Sequence, residues 1–70
     1  MSANNVIYVQ KQGNDYFVWH TDIDYQRDAN ADDRVEVSSL EEALNVAYRM
    51  ANDYGVVEYG IQVLPSINQI

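Results

Sequence analysis

A β-branched and aromatic run, Val6-Ile7-Tyr8-Val9-Gln10-Lys11, predicts a first strand over residues 6–11. Gln12-Gly13-Asn14-Asp15 supplies turn residues, because Gly13 and Asn14 both tolerate positive φ. Tyr16-Phe17-Val18-Trp19-His20-Thr21 then reads as the returning strand of a hairpin, residues 16–21. Residues 22–33 show no sustained apolar period and read as a loop, and the short alternation Arg34-Val35-Glu36-Val37 predicts a third strand over 34–37.

The period then changes. Leu40, Ala43, Leu44, Ala47, Ala51 and Tyr54 recur at offsets of three and four, with Val46 and Met50 widening the stripe, which predicts an amphipathic helix over 39–54. Either serine can cap it, since Glu41 follows Ser38 by three residues and Glu42 follows Ser39 by three. Gly55 is the expected stop. Val56 to Leu64 reads as a last strand, ended by Pro65, with Val57, Tyr59, Ile61 and Val63 on one face and residues 65–70 as a tail. Tyr54 and Tyr59 are expected to help fill the core, and Tyr48 to lie outside it.

The predicted order is β-β-β-α-β in one domain, residues 1–70. The fold class is α+β: a three- to four-stranded antiparallel sheet with one helix packed on one face. Any parallel crossover from the third strand to the last should be right-handed. A single helix covers a single sheet face. In the second hairpin strand Tyr16 and Val18 point one way and Phe17 and Trp19 the other, so one set is expected on an open face that binds a partner or a second copy of the chain.

Charge changes this picture most. From Asp22 to Asp33 the chain carries Asp22, Asp24, Asp28, Asp32 and Asp33 against Arg27 alone, which is −4 of the net −7. A pI near 4.1, with Lys11, Arg27, Arg34 and Arg49 the only strong bases, argues against direct binding of DNA, RNA or anionic lipid and favours a basic partner. There is no cysteine, so neither a disulfide nor a Cys-based zinc site supports a chain this short. No run is long enough to span a membrane, and Met1 to Asn5 lacks signal-peptide character, so a soluble, cytoplasmic protein is expected.

Catalytic chemistry finds few footholds. His20 is the only histidine, no serine sits in a nucleophile-elbow context, and the glycines are isolated. The expectation is no enzyme and no cofactor. In an extended strand His20, Asp22 and Asp24 project to one side, as metal ligands would, but nothing indicates supporting groups around them, so no metal site is assigned. The segment 22–33 matches a calcium-binding EF-hand in length and in its first two Asp. It fails where Arg27 replaces the turn glycine and Asp33 the terminal Glu.

What remains is an Asp-rich surface containing Tyr25. Carboxylates at irregular spacing imitate duplex phosphates to a groove lined with Arg and Lys, and a tyrosine adds amphipathic contact area. Asp22, Asp24, Asp28, Asp32 and Asp33 are the candidate phosphate surrogates and Tyr25 the candidate anchor. The plain alternative is a solvated loop that maintains solubility, on a module that self-associates into a homodimer.

In size, acidity, lack of cysteine and its hairpin, helix, strand plan, the chain resembles the small inhibitor proteins of phages and mobile elements, anti-CRISPR proteins above all. The resemblance spans the whole chain and rests on no shared motif, so no functional residue is carried over. It implies a non-enzymatic inhibitor that mimics nucleic acid and occupies the basic guide- or DNA-binding surface of its target.

Overall fold

A computed structural model describes residues 4–23 and 34–67. The elements are β1 (Asn5–Gln12), β2 (Asp15–Asp22), β3 (Val35–Val37), α1 (Leu40–Tyr54) and β4 (Ile61–Val63). The sheet order is β3-β2-β1-β4. The α+β class with a helix on the sheet holds, but the sheet is mixed: β1 pairs antiparallel with β2 and parallel with β4, and β2 pairs antiparallel with β3. β3 and β4 therefore run in the same direction at opposite edges, and α1 carries the chain from one edge to the other.

The hairpin follows from its turn. Gln12 pairs with Asp15 around Gly13-Asn14, and that pairing fixes the register through Tyr8 opposite Trp19 to Asn5 opposite Asp22. A further bond from Ile23 N–H to Asn4 C=O, 2.6 Å, extends it past the strand ends. Of the two serines offered by the sequence, Ser39 is the N-cap: its Oγ accepts from Glu42 N–H at 3.2 Å. Glu42 in turn accepts from the hydroxyls of Ser38 and Ser39, at 2.9 and 3.2 Å. Gly55, at φ 83°, closes the helix by donating to Ala51 C=O.

Strict alternation sorts the side chains into two clusters. Ile7, Val9 and Val18 face α1 and pack with Ala43 and Ala47, bordered by Tyr16, Leu44, Val46, Met50, Ala51, Val57 and Ile61. Small residues at the centre of the helix face let its backbone approach the sheet. On the opposite face Val6, Tyr8, Trp19 and Leu64 form a second cluster, bordered by Phe17 and Ile23. The expectation of an open second face fails at its centre, because Trp19 and Val6 have no exposed surface and Tyr8 has 4%. Tyr8, Val18 and Trp19 are thus core residues, and Tyr16 and Phe17 are half-buried at the borders of the two clusters.

The last strand differs most from its expected span of 56–64. Residues 56–60 form a turn held by Asn5, whose Oδ1 accepts from Glu58 N–H at 2.9 Å and whose Nδ2 donates to Val56 C=O at 2.8 Å. Gly60, at φ 68°, then reverses the chain into β4. The expected tail of 65–70 is paired with β1 as far as Ile67, the last described residue. Leu64 N–H bonds Val9 C=O, Ile67 N–H bonds Lys11 C=O, and Gly13 N–H bonds Ile67 C=O. The register advances from Val9–Val63 to Gln12–Ile67, so the outer strand has one extra residue and bulges at Pro65-Ser66. Buried Gln10 secures the bulge by donating to Pro65 C=O at 3.0 Å while its Oε1 accepts from Gln12.

Tyr54 and Tyr59 are exposed rather than core-filling, and Tyr48 is exposed as expected. No helix among the described residues is long and apolar enough to cross a membrane.

Candidate functional site

Of the residues singled out from the sequence, Asp22 is the last residue of β2 and is exposed. Asp24, Tyr25, Asp28, Asp32 and Asp33 lie outside the described residues.

Of the three residues with metal-ligand spacing, His20 and Asp22 are described and Asp24 is not. His20 lies on the helix side of β2, opposite Ile7, with its ring stacked on Tyr54 at 3.9 Å between centroids and 14° between planes. Because Asn5 Oδ1 is taken by Glu58 N–H, Asn5 Nδ2 is the donor to His20 Nε2, at 3.2 Å. That nitrogen is therefore occupied in holding the turn to the sheet. Among the described residues no three His, Asp or Glu side chains are placed so that they could hold one metal ion.

The structure does bring together three carboxylates that the sequence left scattered. Asp15 opens β2, Glu36 is the centre of β3, and Glu42 lies in the first turn of α1. With Val37 and Ser38 they line an open depression of about 400 Å³ at the β3 edge. Glu36 lies opposite Phe17 and shares its sheet face, to which Asp15, two residues before Phe17 on the same strand, also belongs. The Glu36 carboxyl is pushed above its ordinary 4.5, first by a hydrogen bond with Asp15 and then by the Asp15 charge, with slight desolvation adding and Arg34 opposing. Arg34 spreads its guanidinium over Phe17, 4.5 Å from the ring centroid. The depression thus holds more negative charge than its own bases relieve.

Only the register makes this group visible. Asp15 reads as a turn residue, Glu36 as the polar position of a short strand and Glu42 as half of a capping box, and each of those readings is correct locally. None shows that the β2–β3 pairing places all three at one edge.

Comparison with protein-family models, with curated proteins and with solved structures finds no match.

Proposed function

We propose that the chain is a non-enzymatic acidic binding protein that blocks a basic, nucleic-acid-binding surface of a partner protein. The observation that carries this reading is the gathering of Asp15, Glu36 and Glu42 around one open depression, where Asp15 pushes the Glu36 carboxyl above its ordinary value. An arginine or lysine placed between them would relieve that repulsion and gain charge-assisted hydrogen bonds. Glu42 extends the acidic surface on one side, and the net charge of −7 steers the whole chain toward a basic groove. In this reading Asp22, Asp24, Asp28, Asp32 and Asp33 stand in for phosphates, Tyr25 anchors the contact, and Asp15 and Glu36 add a second acidic point. The narrower assignment, an inhibitor of the anti-CRISPR kind acting in the cytoplasm, rests on the resemblance in size, charge and plan alone.

The test is capture of partners on the immobilised chain at low and high salt, beside two variants, Asp22→Asn/Asp32→Asn/Asp33→Asn and Asp15→Asn/Glu36→Gln. The expected result is a nucleic-acid-binding protein that is released by salt and by added duplex, and that neither variant retains as well. Exposed charges attract over only about 8–10 Å at physiological ionic strength, so the salt dependence should be steep. Retention of the same partner, at equal affinity, by both neutralised variants would overturn the reading.

A further inference from the structure

We infer that two copies of this chain pair through the outer edge of β4, joining their sheets into one. The two edges of the sheet are unlike. β3 has Glu36 at its centre and follows Arg34, and those charges discourage addition of another strand. β4 is equally short but carries no such charge. Tyr59-Gly60-Ile61-Gln62-Val63-Leu64-Pro65-Ser66-Ile67 contains no charged residue, in a chain whose net charge is −7.

The backbone of β4 faces both ways. Ile7 N–H bonds Gly60 C=O and Leu64 N–H bonds Val9 C=O, in a parallel register of Ile7–Ile61 and Val9–Val63. The Gly60 C=O, Gln62 and the Leu64 N–H therefore face β1, while Ile61 and Val63 turn their peptide groups outward. Val63, beside these outward groups, is 60% exposed, and the flanking Tyr59 and Ile67, whose own N–H groups bond inward to Asn5 and Lys11, are 46% and 43% exposed.

A second copy fits this edge by symmetry. In an antiparallel pairing about a two-fold axis at Gln62, Ile61 of each copy lies opposite Val63 of the other, and both residues have donor and acceptor free for reciprocal bonds. Ile61 and Val63 then meet on the helix side, covering Val63. The two Gln62 amides face each other on the other side, where each has only a long bond, 3.4 Å, to its own Tyr59 C=O. Sliding the pairing until Val63 faces Val63 sets Ile61 opposite Pro65, which has no N–H to give. The pairing thus has a preferred register. The uncharged strip is also the approach along which two copies at −7 repel least, whereas a basic partner finds no carboxylate there.

This inference uses none of the residues assigned to the acidic surface, and salt separates the two. Salt weakens attraction to a basic partner but screens the repulsion between like-charged copies. Sedimentation velocity of the purified chain over a range of concentrations and salt should show a faster species that grows with both. Val63→Lys should abolish that species with the circular dichroism spectrum unchanged, even though it lowers the net negative charge of each copy. Tyr48→Lys, on the exposed outer surface of α1, should leave it intact. A single slow species at every concentration and salt, or a faster species that survives Val63→Lys, would overturn the inference.

Discussion

Glu36 and Asp15, on neighbouring strands, line one depression with Glu42, and a hydrogen bond to Asp15 together with the Asp15 charge raises the Glu36 carboxyl above its ordinary value. Two fully ionised carboxylates have no proton for such a bond, so the contact is favourable only while one of them is protonated. Deprotonation converts an attraction into a repulsion at a fixed place on the β3 edge.

That conversion gives stability a definite pH dependence. Glu36 is raised above its ordinary 4.5 in the folded chain, so the folded state binds the proton more tightly than the unfolded state does. The stabilisation is complete below 4.5 and is lost as pH climbs through the raised value. Glu36→Gln keeps a donor for Asp15 and removes the charge. Thermal melts of parent and variant should coincide in acid, then diverge toward neutral pH with the variant higher. A variant that melts lower at neutral pH would show that Arg34, not Asp15, governs this carboxyl.

The cap distinguishes two neighbouring serines. Ser39 Oγ accepts from the Glu42 amide, whereas Ser38 Oγ reaches only the Glu42 carboxylate. Ser39→Ala should cost about 1 kcal/mol, the usual worth of an N-cap hydroxyl. Ser38→Ala removes a solvent-exposed side-chain contact and should cost under about 0.5 kcal/mol. Urea denaturation of both variants decides the point, and equal losses would contradict the assignment.

Much of this arrangement was legible from residue order. The Gly13-Asn14 turn, the helical stripe, the capping box and Gly55 are local signals, each satisfied within a few residues of itself. Val56-Val57-Glu58-Tyr59 was misread because its β-prone side chains are overridden by Asn5, 53 positions before Glu58 at the other bond it makes. No local rule reports a side chain from the opposite end of the chain capturing two peptide groups. The parallel docking of β4 beside β1 and the covering of Trp19 are long-range in the same sense. The acidic segment 22–33 is conspicuous in the sequence, while the Asp15, Glu36 and Glu42 group exists only once strands are paired.

Asn5 is accordingly the position where a small change should have the widest local effect. Its side chain satisfies Val56 C=O and Glu58 N–H and reaches His20 Nε2, which stacks on Tyr54 at the helix end. Asn5→Ala strips all three bonds and should destabilise by about 0.5–1.5 kcal/mol, the net worth of a hydrogen bond whose partners water can still reach. Amide exchange should accelerate at Glu58 well before it does in the centre of β1. Unchanged protection at Glu58 would mean that the 56–60 turn is held by its backbone bonds instead.

Trp19 offers the most direct check on the face away from the helix. Its ring is fully buried beside Tyr8, 5.7 Å between centroids at 52°, and its Nε1 is buried with no hydrogen-bond partner. An indole without exposed surface emits at short wavelength, so the single Trp should fluoresce blue in the native chain and shift to the red on unfolding. Trp19→Ala should cost about 3–5 kcal/mol by leaving a cavity, which is much of the stability of a domain this small. Trp19→Phe should cost distinctly less, because the phenyl ring keeps most of the packing and removes the unmet N–H. Native emission already at the wavelength of the unfolded chain would place Trp19 in water and return that face of the sheet to solvent.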